Sequence, residues 1–220
     1  MSNNNYKFSV ECDDCSRLSK FLQKIRKEYP EYYSKPVPSF GKSRPHLLII
    51  GLAPGLHGAN ATGRPFTGDF AGIILYEMLY KYGFSNKKSS TSTRDGLKLK
   101  NCRITNAVRC LPPQNKPIGE EVNNCNRYLA DELNNISKKA VVLCLGQIAH
   151  RSTLKALTLR QSKYPFKHGK FYNLDDGRVI VDSYHCSRYN TQTKRLTEAM
   201  FSDIFMKITK QTLLIMTTTQ

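Results

Sequence analysis

The chain has 220 residues, 40% of them hydrophobic, which is enough for one α/β domain with a full core and tight for two. Lysine and arginine number 34 against 17 acidic residues, a formal charge of +17 that points first to nucleic acid, with a solubility bias as the plainer alternative. No stretch approaches the roughly 18 to 20 apolar residues of a membrane span, so no membrane partner is expected.

In chain order, MSNNNYKFSVECDD has no basic-then-apolar signal pattern, which makes a cytoplasmic protein the expectation, nucleoid-associated if the cell is prokaryotic. The head, about residues 1–30, carries Cys12 and Cys15. A helical stretch SRLSKFLQKIRKEY follows, with Leu18, Phe21, Leu22 and Ile25 on one face. Residues 33–46, rich in Pro and Ser, read as an extended connector, and LLIIG as the first strand. The segment GLAPGLHGANATGRPFTGDFAG leads from that strand into the helix IILYEMLYKYG. NKKSSTSTRDG reads as a polar surface loop, NCRITNAVRC as a strand, LPPQNKP as a rigid loop and EEVNNCNRYLADELNNIS as a helix. KKAVVLCLG is a continuously apolar strand, QIAHRSTLKALTL a helix, RVIVDSYHCSRYNTQT a strand running into a loop, and TKRLTEAMFSDIFMKITKQTLL a closing helix. Strands alternating with helices predict a parallel-sheet α/β sandwich in a single domain, 1–220.

The glycine-rich segment is about four times longer than a plain strand-to-helix connection needs, and it leaves the carboxyl end of a strand, where open α/β sheets bind ligands. Asp69, its one carboxylate, reads both as a helix N-cap and as a catalytic group. Phe66 suits stacking on a base, or local packing. His185 follows the last strand and faces the same crevice, as do Asn106 and Asn115, whose amides suit reading a base edge or bracing a turn. His150 and His168 read as structural or surface residues.

Seven cysteines in a reducing compartment argue against structural disulfides. Cys12, Cys15, Cys110 and Cys125 lie outside strand interiors, and four thiolates suit either zinc or a [4Fe–4S] cluster. Cys144 and Cys102 read as core residues. For Cys186, packing competes with an exposed, oxidisable thiol.

Together these segments resemble the uracil-DNA glycosylase superfamily, in its iron–sulfur, family 5 (B-type) branch. GLAPGLHGANATGRPFTGD is similar to the family's first motif, TNAVRCLPPQNKP with Cys125 to its middle motif, and SYHCSRYNTQTKRLT to its second catalytic motif. The match runs from about Cys12 to Phe205. The resemblance implies a three-layer α/β/α sandwich around a central, mainly parallel four-stranded sheet. It also implies a [4Fe–4S] cluster on Cys12, Cys15, Cys110 and Cys125. Asp69, Asn115 and His185 would be catalytic, Gly51, Ala53, Phe66 and Asn106 would hold the flipped base, and Arg188, Asn190, Lys194 and Arg195 would meet DNA. Family 4 relatives carry Glu where this chain has Leu52, which points to family 5 and its wider range of deaminated bases, including hypoxanthine and xanthine. Two positions depart from the family: Ala61 replaces an Arg and Cys186 replaces a Pro. The expected protein is a monomeric, monofunctional repair glycosylase acting on DNA that contains uracil or other deaminated bases. A non-catalytic nucleic-acid binder on the same fold is the alternative.

Overall fold

A computed structural model describes residues 8–217 of the chain, with side-chain burial as far as Leu213. Four strands form a parallel core: β2 (Leu47–Gly51), β3 (Cys102–Asn106), β4 (Val141–Leu145) and β6 (Val179–Ser183). These are the four strands expected from LLIIG, NCRITNAVRC, KKAVVLCLG and RVIVDSYHC. The sheet has six strands rather than four. β1 (Phe40–Gly41) and β5 (Phe171–Asn173) add antiparallel edges, giving the order β1-β3-β2-β4-β6-β5. At two and three residues, these edges are too short to show a period-two pattern, and β1 lies inside the Pro-rich connector.

Seven α-helices are described: α1 (Ser16–Glu28), α2 (Ala59–Thr62), α3 (Phe70–Lys81), α4 (Gly119–Asn135), α5 (Gln147–Ala156), α6 (Arg188–Gln192) and α7 (Glu198–Thr217). Alternation along β2 sorts the layers. Leu47 and Ile49 pack with Leu75 and Leu79 of α3 and with Phe201 and Phe205 of α7. Leu48 and Ile50 pack with Leu129 and Leu133 of α4 and with Ala149 and Leu154 of α5. Every residue of β2 and β4 is buried, as the continuous apolar runs require of a sheet covered on both faces. Each fully buried Leu or Ile contributes about 1.5–3 kcal/mol relative to exposure.

The closing helix expected from Thr193 begins only at Glu198, as α7, and the loop expected before it holds the short α6. Ser187 caps α6, accepting from the Asn190 N–H, and the chain turns at Lys194, whose φ of +56° breaks the helix before α7 begins. His150 is structural: Nδ1 lies 2.7 Å from Asp182 and Nε2 2.8 Å from the Tyr164 carbonyl. His168 accepts from the Tyr184 N–H and stacks on that ring, bracing the chain just before His185.

Candidate active site

Gly51 and Asn106 are register partners at the carboxyl ends of β2 and β3. The glycine-rich segment leaves Gly51, forms the short α2, and returns to Asp69 at the start of α3. Asp69 is the N-cap: its Oδ1 accepts from the Gly72 N–H at 2.9 Å. Among the described residues Oδ2 takes no such bond, and it faces the loop, where a Cβ on Gly58 would come within 2.6 Å of it. Capping therefore uses one oxygen and leaves the other for chemistry, so the two readings of Asp69 are compatible. Burial pushes its carboxyl up from the ordinary range, opposed by the N–H groups of Gly72 and Ala71.

Phe66 takes the left-handed φ of +55° and is only 5% exposed. Its backbone is held from two sides. Tyr76 donates its hydroxyl to the Pro65 carbonyl at 2.8 Å, and a Cβ on Gly72 would sit 1.8 Å from the Phe66 oxygen. The ring stacks on His185 with centroids 6.0 Å apart and 26° between planes. A Cβ on Gly51 would lie 2.3 Å from Asn106 Oδ1 and 2.6 Å from Phe66 Cζ, so Gly51, Phe66 and Asn106 meet at one point. The buried Asn106 amide makes no side-chain hydrogen bond with a described residue, which leaves its donor and acceptor to a ligand. Burial pulls the pKa of His185 down to about 4, so its imidazole is neutral near pH 7.

The other expected residues divide. Ala53 is half-buried at the start of the loop, and Arg188, Lys194 and Arg195 are exposed, with Arg195 over the Tyr184 ring. Asn190 donates its amide to the His185 carbonyl at 2.8 Å and so braces the motif. Asn115 is exposed on a turn with φ of +57° and makes no hydrogen bond to Asp69 or His185. Cys186 is fully buried, which settles its competing readings as packing, and burial together with the Asp69 charge pushes its thiol up. Cys102 and Cys144 are core residues, as expected.

Sequence reasoning missed the partners of Arg64. Its buried guanidinium bonds both Asp95 oxygens at 3.0 Å and Ser90 Oγ at 2.9 Å, and Ser90 also bonds Thr67 Oγ1 at 2.7 Å. The polar loop 86–96 is thereby fastened against the Phe66 segment. A contact spanning 31 residues leaves no periodic signal.

Cys12, Cys15, Cys110 and Cys125 all line one cavity, together with Arg109 and Tyr128. Three of the sulfurs receive hydrogen bonds: from Tyr128 Oη to Cys12 at 3.3 Å, Asn124 Nδ2 to Cys15 at 3.6 Å and the Arg109 N–H to Cys125 at 3.3 Å. Burial pushes the Cys125 thiol up to about 11 and raises those of Cys15 and Cys110. Among the described residues no three such side chains close on a single metal ion. Arg17 reaches across from α1 to bind both oxygens of Glu121 in α4 at 2.7 and 2.8 Å, tying the head to the middle of the chain.

Comparison with known proteins agrees with this geometry. A profile described as the uracil DNA glycosylase superfamily matches residues 38–209. A type-5 uracil-DNA glycosylase of Thermus thermophilus is 44% identical over 201 residues, covering 89% of this chain and 91% of that one. A type-5 uracil-DNA glycosylase of Pyrobaculum aerophilum is 39% identical, covering 90% and 88%. A type-4 uracil-DNA glycosylase of Archaeoglobus fulgidus is 31% identical, covering 76% and 79%. The chain belongs to the uracil-DNA glycosylase superfamily, in its type-5 branch.

Proposed function

We propose that the chain excises uracil from DNA by hydrolysing the bond between base and deoxyribose, leaving an abasic site. The observation that carries this reading is that Phe66 meets Asn106 at Gly51 and stacks on His185, on the glycine-rich segment that ends at Asp69. A base inside the duplex is out of reach, so the nucleotide flips into the pocket. Phe66 stacks on it, and Asn106 pairs with its Watson–Crick edge beside the backbone of Gly51 and Ala53. Cleavage builds positive charge on the sugar and negative charge on the leaving base. The His185 imidazole, neutral and so able to donate one hydrogen bond, stabilises the base anion. Asp69 accepts the proton of the attacking water and offsets the sugar charge. Asn115, its amide open to solvent, is assigned the second contact to that water. The absence of a carboxylate at Leu52 supports extension to hypoxanthine and xanthine.

A [4Fe–4S] cluster is proposed for the four cysteines. The support is their shared cavity and the donors aimed at three of the sulfurs. When bound, the cluster supplies a cross-link between the head and the rest of the chain. Anaerobically purified protein is expected to show a thiolate-to-iron visible band and about four irons per chain; colourless protein with stoichiometric zinc rejects the cluster.

The activity is tested with oligonucleotides carrying one uracil or hypoxanthine, followed by alkaline cleavage of abasic sites. Strand breaks that vanish in Asp69→Asn support the enzyme. Tight, salt-sensitive binding without breaks supports a DNA binder lacking the chemistry.

A further inference from the structure

Beside the base pocket, a groove of about 410 Å³ runs along the start of α3. Gly68, Asp69, Phe70 and Ile73 line it together with Arg188 and the loop residues Lys88 to Thr91. The loop is polar by composition and lies some twenty residues from Asp69 in sequence, so nothing in the chain announces that the two share a concavity.

Three observations say what the groove takes. First, its charges do not balance. Lys88 and Arg188 face one carboxylate, Asp69, while the nearby Asp95 is spent on Arg64 and on the N–H groups of Thr91, Ser92 and Leu97. Second, Lys88 has no hydrogen bond or ion pair with a described residue, whereas its neighbour Lys87 is used internally on the Asp95 carbonyl. Third, the loop lining is held in place before any ligand arrives, because Ser90 is pinned by Arg64 and Thr67. The apolar lip is equally unusual. Ile73 is 61% exposed and Phe70 lies 5.6 Å under the Arg188 guanidinium, an arrangement that suits a sugar next to an anion.

We propose that Lys88, with the Ser89–Thr91 segment and Arg188 that line the same groove, grips a backbone phosphodiester of the damaged strand and so holds its deoxyribose over Asp69. This rests on the glycosylase reading for the identity of the strand. Lys88 is a positioning residue: it fixes register and does no chemistry.

The test measures affinity for a duplex carrying a tetrahydrofuran abasic analogue, by fluorescence anisotropy from 50 to 200 mM KCl. Wild type is compared with Lys88→Ala, Lys88→Arg and Lys138→Ala, the last at the opposite, amino end of the sheet where Lys138 pairs with Asp176. One lost phosphate contact lowers the log–log salt slope by about 0.9, so the affinity defect of Lys88→Ala should be about 3.5-fold larger at 50 mM than at 200 mM. Lys88→Arg should restore the slope and Lys138→Ala should leave it unchanged. An unaltered slope in Lys88→Ala, in an enzyme that still excises uracil, overturns the groove and leaves the glycosylase standing. A slope lowered as expected in Lys88→Ala, with a wild type that binds but cannot excise, supports the groove and overturns the activity. A wild type that binds no DNA overturns both.

Discussion

Adding one methyl group at the end of β2 tests whether Phe66 and Asn106 form the base-reading pocket. In Gly51→Ala the new Cβ falls 2.6 Å from Phe66 Cζ and 2.3 Å from Asn106 Oδ1. Ordinary contact begins near 3.4 Å, so each group must retreat by about 1 Å. The Phe66 backbone cannot give, being held by the Tyr76 hydroxyl and by the close approach of Gly72. The ring must therefore tilt off His185, or the Asn106 amide must turn away. Overpacking of this kind costs about 1–3 kcal/mol. For a chain of this length that is a fall in Tm of about 2–12 °C. A misplacement of about 1 Å at a reacting centre costs about 100-fold in rate. Single-turnover excision from a uracil oligonucleotide, measured beside a thermal melt, reads both. The expected result is a modest loss of stability with a large loss of excision. Wild-type excision by Gly51→Ala would refute the assignment of Phe66 and Asn106 to the base.

Asp69→Asn keeps an N-cap acceptor for Gly72 and should melt within about 1 kcal/mol of wild type, while Asp69→Ala should lose about 0.5–2 kcal/mol more; both should lose excision by about 100-fold or more, separating cap from catalyst. His185 titrates near 4 when folded against 6.5 when unfolded. Between those values the unfolded chain binds more protons, so stability is present above pH 6.5 and lost as pH falls toward 4, by on the order of 3 kcal/mol. Urea titrations across that window should show a shallower loss for His185→Asn than for wild type. Asp95 is held near 2 because the N–H groups of Leu97 and Thr91, with Arg64, outweigh the upward push of burial. Asp95→Asn should leave the buried Arg64 charge uncompensated, cost about 3–5 kcal/mol, and open loop 86–96 to limited proteolysis; a protease-resistant loop would show that the clamp does not hold it.

Much of this protein is legible in one dimension because its signals are local. Two of the four parallel strands, β2 and β4, are continuous apolar runs buried along their whole length, the pattern that a sheet covered on both faces imposes. Asp69 before an apolar helix announces a cap, and the long glycine-rich segment announces a ligand loop, since close backbone approach excludes side chains at Gly51, Gly58 and Gly72. The motifs around Cys12, Asp69, Cys125 and His185 likewise carry the family in the chain itself. The edge strands β1 and β5 are not legible, because two or three residues pair only where a neighbouring strand already offers its open edge. Nor does the sequence reveal that one Asp69 oxygen caps while the other stays open, that Asn190 braces His185, or that Cys186 is core. The Arg64–Asp95 clamp and the groove it builds belong to the same class. Each depends on the distance and direction between groups far apart in the chain, and those quantities exist only once the sheet has brought its loops to one end.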